Sequence, residues 1–232
     1  MYSRTELVIG AAAVEKLRSS RVCVVGLGGV GGYIAEALAR AGVGKLGLCD
    51  FDRVDVSNKN RQILALDSTL GIRKTEAAAA RIHDINSECD VTVFSERINA
   101  DNAELLFSRN RWDYVADAID DVPAKIALIE YCVLNQIPEI SCMGTGNKLD
   151  PMQFRISDIS KTEICPLARK VRQELRRDGI EKGVKVLFST EKPVSVPAGS
   201  PVGSVSFVPS IAGLLIGGEI IKDLTCAGKM IE

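Results

Sequence analysis

The sequence predicts an α/β protein with a Rossmann-like, doubly wound, mainly parallel sheet and a C-terminal extension of additional strands and helices. Short apolar runs alternate with helical patterns as far as residue 143, which is typical of a parallel sheet covered by helices. The first of these runs leads into the turn Gly26-Leu-Gly28-Gly29-Val-Gly31 and then into a helix. The second run ends in an acid, Asp50, as in dinucleotide-binding βαβ units.

The predicted strands are short apolar runs bounded by glycine, proline or polar residues. In chain order they cover residues 21–25, 45–50, 91–95, 113–118, 138–143, 152–157 and 185–189. The first five alternate with helices and form the parallel part of the predicted sheet. The last two follow a break at 144–147 and belong to the C-terminal extension.

The predicted helices combine apolar or alanine-rich periodicity with terminal signals. Helix 30–41 closes on Gly42, helix 101–108 has Asp101 as its expected N-cap, and helix 123–136 carries Pro123 in its first turn. The other predicted helices cover residues 11–20, 73–86 and 169–178, with a short helix inside 60–66. The segment 191–204 is rich in Pro, Ser and Gly and is predicted to be a loop.

The most apolar stretch is 205–224, which Pro209, Glu219 and Lys222 interrupt. We therefore expect a buried or dimer-forming helix there and no stable membrane insertion. The N-terminus lacks the long apolar core of a signal peptide. Seven cysteines without a C-x-x-C pair, and a single histidine, predict reduced buried thiols, no zinc and a cytoplasmic location. We expect that histidine, His83, on a helix surface.

The glycine turn is suited to a nucleotide phosphate. Glycines at 26, 28 and 31 allow a tight turn with close backbone approach, and Gly29 removes one more side chain. The helix that follows directs free N–H groups at an anion. Asp50 can accept both ribose hydroxyls, and Asp52 can serve the same nucleotide. The alternatives are a turn without a ligand and acids that only hold the following loop.

A hydride-transfer enzyme does not need the polar residues that come next, namely Asn58, Asn60, Arg61, Lys74 and Asp120. The two cations, Arg61 and Lys74, can neutralise a triphosphate, and arginine can bind two oxygens at once. A carboxylate at 120, just past a strand, can share Mg²⁺ with phosphates. The alternatives are a surface lysine at 74 and a helix N-cap at Asp120 or Asp121.

Together these motifs resemble the E1-like superfamily, which includes ubiquitin-activating, molybdopterin-activating and thiamine-pathway adenylyltransferases. The resemblance implies ATP- and Mg²⁺-dependent adenylation of a carboxylate. It assigns the phosphate turn to Gly29, the ribose to Asp50, the phosphates to Asn58, Arg61 and Lys74, and the metal to Asp120. It also implies a homodimer, in which Arg4 reaches the partner's ATP site. Without the resemblance, Arg4 would be a frayed terminal residue.

Motifs in the second half of the chain narrow the resemblance to one branch of the superfamily. They lie at 118–125, 144–151, 158–162 and Cys165-Pro166-Leu-Ala-Arg169. These motifs are similar to those of the tRNA threonylcarbamoyladenosine dehydratase branch. That branch adenylates N6-threonylcarbamoyladenosine at position 37 of ANN-decoding tRNAs, beside the anticodon, and a ring then closes with loss of AMP. The resemblance implies one adenylation domain over 1–232, with a nucleotide-binding core at 1–145 and a substrate and dimer extension at 146–232.

Several alternatives stay open at this point. The chain can instead activate the Gly-Gly terminus of a ubiquitin-like sulfur-carrier protein, although the zinc cysteines usual in such activators are missing. Two other interpretations, an NAD-binding oxidoreductase and a catalytically silent nucleotide-binding adaptor, account for fewer of the candidate site residues. Ring closure needs no protein nucleophile, and Cys165, in a segment expected to be mobile, is the best candidate for one. A monovalent cation at the turn 144–148 and a sulfur-transfer partner protein also stay open.

A tRNA substrate requires a basic surface. The net charge of the chain is −1, yet residues 161–185 contain eight Lys and Arg against four Asp and Glu, a local excess of +4. Arg169, Lys170, Arg172, Arg176 and Arg177 fall on adjacent faces of the predicted helix. We expect this helix to contact the anticodon stem. The alternative is a solvated helix with internal ion pairs.

Overall fold

The computed structural model describes residues 1–99, 101–108, 110–197 and 199–225, except for the side chains of residues 105, 106 and 108. Its strands are β1 Arg21–Val25, β2 Lys45–Cys49, β3 Asp90–Phe94, β4 Tyr114–Asp117, β5 Glu139–Cys142, β6 Phe154–Asp158 and β7 Lys185–Ser189. They form one sheet in the order β3-β2-β1-β4-β5-β7-β6. All neighbours are parallel except β6 and β7. The predicted doubly wound, mainly parallel sheet is confirmed.

Helices cover both faces of this sheet. They are α1 Ser3–Ile9, α2 Ala11–Ser19, α3 Gly31–Ala41, α4 Lys74–Ile85, α5 Ala103–Ser108, α6 Val122–Leu134, α7 Pro166–Arg177 and α8 Phe207–Thr225. Two apolar cores lie on opposite faces of the sheet, because successive side chains of a strand point to opposite faces. In β1, Val22 and Val24 pack with α3 and α8, while Cys23 and Val25 pack with α6. A third core is formed by residues of α6, α7 and β7.

Helix α8 packs closely on α3. A Cβ atom at Gly213 would lie 2.4 Å from the Val30 carbonyl oxygen, and one at Gly217 would lie 2.8 Å from Ala37 Cβ. The absence of side chains at these two positions therefore permits the contact. No helix in the described part of the chain is long and apolar enough to cross a membrane.

Two local predictions were wrong, and one helix was missed. The segment 60–66 contains no helix; short 3₁₀ turns form instead at Val56–Asn58 and Asp67–Thr69, the first closed by hydrogen bonds between Asp55 and Asn58. Helix α5 begins at Ala103, and Asn99 rather than Asp101 accepts the preceding backbone N–H groups. Helix α1 was not predicted, since it buries no residue and gives no apolar periodicity.

Candidate nucleotide site at the carboxyl edge of the sheet

A cleft of about 770 Å³ lies where β1, β2, β4 and β5 end. This is the point at which the strand order reverses between β1 and β4, and open α/β sheets bind ligands there. The predicted site residues that line it are Gly26, Gly28, Gly29, Asp50, Asp52, Asn58, Arg61, Lys74 and Asp120. Gly31, Asn60 and Arg4 do not line it.

The glycine turn is built by backbone constraints. Gly26 has φ +87°, and a Cβ there would lie 2.7 Å from the Ala118 carbonyl oxygen. A Cβ at Gly31 would lie 1.7 Å from the Gly26 carbonyl oxygen, so Gly31 allows α3 to pack beneath the turn and does not face the cleft. At Gly29, by contrast, the nearest atoms are side-chain carbons of Pro209 and Arg61, and its backbone borders the cleft.

The acids after β2 are fixed by hydrogen bonds. Asp50 accepts from the backbone N–H groups of Leu27, at 2.7 Å, and Asp52, at 2.8 Å. The Lys74 ammonium lies 2.7 Å from Asp52 Oδ2 and 3.9 Å from Asp50 Oδ2. Lys74 is buried, so the alternative of a surface lysine is wrong. Burial raises the pKa of Asp50, against the opposing influence of Lys74 and the two N–H groups.

The segment after the first 3₁₀ turn positions an arginine. Arg61 Nη1 donates to the Ser57 carbonyl oxygen at 2.9 Å and to Asn60 Oδ1 at 2.8 Å. Asn60 in turn donates to the Ser204 carbonyl oxygen at 3.0 Å, so it orients Arg61 and connects it to the 191–204 segment. Asn58 is buried and lines the cleft.

Gln62 was not among the predicted site residues. It is buried and lines the cleft, and its Oε1 has no hydrogen-bond partner among the described residues. A buried polar atom without a partner is unfavourable, so it indicates a site completed by a ligand or water. The only signal in the sequence was its place directly after Arg61.

The two acids after β4 have different roles. Asp121 caps α6 by accepting from the Ala124 N–H at 3.1 Å, and it pairs with Arg97 at 3.1 Å. Asp120 is exposed at the cleft and makes no hydrogen bond or ion pair within the described part of the chain. The N-cap is therefore Asp121, and the Asp120 carboxylate remains available to a ligand.

The far wall of the cleft comes from the C-terminal half, and two thiols belong to it. Cys142 is buried, and burial raises its pKa to about 12. Cys165 is 2% exposed and packs with Met143 and Val171. Its segment was expected to be mobile, but α7 begins at the next residue, Pro166, so that expectation was wrong.

Two further predictions concern the surface. Arg4 lies exposed on α1, outside the cleft of its own chain. His83 lies exposed on α4, as expected. No group of three or more His, Cys, Asp or Glu residues in the described part of the chain is arranged to hold a metal ion.

The parallel sheet, the glycine turn and the acid after β2 define a Rossmann-like nucleotide-binding protein. The chain belongs to the ThiF family, whose family model matches residues 2–230. It is 45% identical over 239 residues to a curated tRNA threonylcarbamoyladenosine dehydratase of Bacillus subtilis, covering 96% of this chain and 94% of that protein.

Two further relatives differ in how much they share with this chain. The crystal structure of Escherichia coli tRNA N6-threonylcarbamoyladenosine dehydratase in complex with ATP matches with a TM-score of 0.92 and 39% identity, over 100% of this chain and 96% of that one. An adenylyltransferase and sulfurtransferase of Drosophila yakuba is 38% identical over 151 residues, which cover 64% of this chain and 32% of that protein. The shared region is therefore shorter for the sulfur-transfer class.

Proposed function

We propose that this protein is an ATP-dependent tRNA threonylcarbamoyladenosine dehydratase. It adenylates the carboxylate of N6-threonylcarbamoyladenosine in tRNA, and ring closure then completes the loss of water. The observation that carries the proposal is the 45% identity to a dehydratase along 94% of that relative's length. The cleft at the strand switch point supports it, since it offers a phosphate turn, the buried acid Asp50 and cations together.

The chemistry requires activation because a free carboxylate is a poor electrophile. Its oxygen attacks the α-phosphorus of ATP, pyrophosphate leaves, and a mixed anhydride with AMP forms. An atom of the same modified base then attacks the acyl carbon and expels AMP. The protein neutralises charge and aligns the reacting atoms. We assign the phosphate turn to Gly26, Gly28 and Gly29, and the phosphate contacts to Asn58, Arg61 and Lys74.

Asp50 and Asp52 complete the proposed nucleotide site, with Asp50 at the ribose. Asp120 is the proposed Mg²⁺ ligand. A single carboxylate suits Mg²⁺, which is commonly held by one or two carboxylates together with phosphates and waters. When bound, the metal would neutralise phosphate charge. The exposed carboxylate of Asp120, which has no partner among the described residues, fits that role, whereas Asp121 is already engaged with Ala124 and Arg97.

The proposed tRNA surface is helix α7, which begins at the rim of the cleft with Pro166 and Leu167. Arg169, Lys170 and Arg176 are exposed along it. The expectation for Arg172 needs correction, because its guanidinium donates to the Thr162 carbonyl oxygen at 2.7 Å and holds the preceding turn. Lys185 is likewise engaged, by Glu219 and Asp223 of α8.

We propose a homodimer in which Arg4 enters the partner's cleft. Leu7 and Val8 on α1 are 87% and 83% exposed, and Leu214 and Leu215 add apolar surface on α8. Such a surface favours association with a second copy. We also propose a cytoplasmic location and a division into a core at 1–145 and an extension at 146–232. A sulfur-transfer partner and a monovalent cation at 144–148 stay predictions.

Mass spectrometry of nucleosides tests the function. Modified tRNA is incubated with the protein and Mg-ATP, and the expected result is ATP-dependent loss of one water from threonylcarbamoyladenosine. Asp120→Asn and a reaction without ATP serve as controls. No change in tRNA that demonstrably carries the modification would contradict the proposal. Pyrophosphate exchange that depends on a protein ending in Gly-Gly would then identify the alternative, activation of a sulfur carrier.

A further inference from the structure

Lys148 is a buried cation on the far wall of the cleft. It follows β5, lines the cleft and is 4% exposed. Its ammonium makes one long contact, 3.5 Å from the Ser189 carbonyl oxygen, and forms no ion pair with a carboxylate of the described residues. Burial of an ammonium without a paired anion is unfavourable, so the site calls for an anionic ligand.

The other cations of the cleft have different surroundings. Lys74 pairs with Asp52, and Arg97 pairs with Asp121. Among the described residues, Arg61 contacts only neutral oxygens, and it lies against the glycine turn on the nucleotide side. Lys148 is therefore the cation that faces the remaining half of the cleft.

The backbone around Lys148 is held firmly on both sides. Asn147 has φ +56°. Its N–H donates to the Gly203 carbonyl oxygen at 2.8 Å, and its Oδ1 accepts from the Gly203 N–H at 2.7 Å. On the other side, Glu191 accepts from the N–H groups of Leu149, at 2.9 Å, and Asp150, at 3.0 Å. The Glu191 carboxylate thus fixes the turn, because both of its oxygens accept hydrogen bonds from backbone N–H groups. A fixed turn is what a binding group requires.

We infer that Lys148 binds the substrate carboxylate and holds it beside the α-phosphate of ATP. This inference rests on the proposed function, which brings two anions together in one cleft. Their repulsion is strong in a site of low dielectric, and a cation on the substrate side offsets it. Burial lowers the pKa of Lys148, against the opposing influence of Cys165, Glu191 and Cys142. A bound substrate carboxylate would likewise raise this pKa. Lys148 thereby selects tRNA that already carries the acidic modification.

The test compares binding of modified tRNA with binding of the same tRNA lacking the modification, which has no carboxylate to offer. Lys148→Met keeps the length of the side chain and removes a buried charge, so the fold should persist. Lys148→Gln is the second variant. Lys192→Gln, at an exposed position nearby, is the control for overall charge.

We expect both Lys148 variants to lose about ten- to hundredfold in preference for the modified tRNA, as loss of a charge-assisted hydrogen bond implies. Binding of unmodified tRNA and of ATP should not change, and Lys192→Gln should retain the preference. A Lys148→Met protein that binds ATP and keeps the full preference would overturn the inference. If the wild-type protein itself leaves the modified nucleoside unchanged with Mg-ATP, the proposed function fails instead.

Discussion

The Lys125 ammonium lies 2.7 Å from Asp117 Oδ2, and the two side chains are 0% and 1% exposed. The same ammonium donates to Ser141 Oγ and to the Cys142 carbonyl oxygen, so its hydrogen-bonding capacity is used. This contact joins α6 to the carboxyl ends of β4 and β5, directly beneath the cleft. It therefore holds the strand ends from which the site is built.

We predict that Lys125→Met destabilises the fold by about 3–5 kcal/mol, because it leaves the Asp117 charge buried and unpaired. The measurement is the free energy of unfolding in urea. Lys45→Met is the matched control, since Lys45 and Asp90 form a partly exposed pair that contributes at most about 1 kcal/mol. Equal losses in the two variants would show that burial does not determine the effect.

Adjacent acids give a second prediction. Asp120→Asn should lower the rate of adenylation about 10²–10³-fold without loss of stability, because this carboxylate is exposed and faces the cleft. Asp121→Asn should retain activity and lose at most about 1 kcal/mol of stability, since it caps α6. Pyrophosphate release and urea unfolding measure the two effects. The reverse pattern would place the metal ligand at Asp121.

Arg61→Ala should abolish adenylation while the protein remains folded, because its guanidinium contacts neutral oxygens and is free to bind phosphate. Lys59→Ala, two residues earlier, is the control, since Lys59 pairs with Asp67 on the surface. Both variants are compared by pyrophosphate release and thermal unfolding. An active Arg61→Ala protein would mean that the ATP site has been placed incorrectly.

The proposed exchange of Arg4 between subunits can be tested by mixing inactive variants. Arg4→Ala and Asp120→Asn proteins should each be inactive alone. An equimolar mixture should recover about a quarter of wild-type activity, since half of the dimers are mixed and each contains one complete cleft. Sedimentation checks the oligomeric state. A protein that stays monomeric at micromolar concentration would remove the proposal.

Acid should weaken the fold through Glu36. Burial alone would raise its pKa, but hydrogen bonds from Arg81, at 2.6 Å, and Arg40, at 2.7 Å, lower it overall. Its stabilising contribution is therefore complete above the ordinary value of 4.5 and is lost as pH falls through the lower folded value. In urea titrations, the wild type should lose stability over that window more steeply than Glu36→Gln. Parallel curves would contradict this assignment.

The α7 surface predicts a salt-dependent effect. Charge reversal at Arg169 and Arg176 should weaken tRNA binding and reduce the salt slope by about 1 for each lost phosphate contact. Lys16→Glu, an exposed change on α2, which leads into the amino end of β1, is the control. Unchanged affinity and slope in the α7 variants would show that the helix is only a solvated surface.

Much of the fold could be predicted because the strands are short apolar runs that are visible locally in the sequence. The strand 185–189 was predicted with the bounds that the structure shows, and the doubly wound, mainly parallel sheet followed from βα alternation. Glycine spacing could not separate Gly31, which packs under the turn, from Gly29, which borders the cleft. That distinction depends on which face of the backbone another segment approaches.

Two buried polar residues of the cleft were harder to predict. Gln62 and Lys148 are chemically ordinary residues whose importance comes from burial, and burial depends on how distant segments fold over them. Asn60 was predicted as a site residue, but its contact with Ser204, which lies 144 residues later in the chain, could not be predicted. The motifs located the nucleotide half because it is nearly continuous in sequence, whereas the other half is assembled from three separate segments.

The buried cysteines give this protein an internal set of reporters. All six thiols in the described part of the chain are buried, and those of Cys49, Cys142 and Cys165 line the cleft. A thiol reagent can therefore modify them only when the structure opens locally or globally. Protection of Cys165 by bound nucleotide or RNA would record occupancy of the cleft, while Cys23 and Cys49 would record separation of the central strands, all without an introduced cysteine.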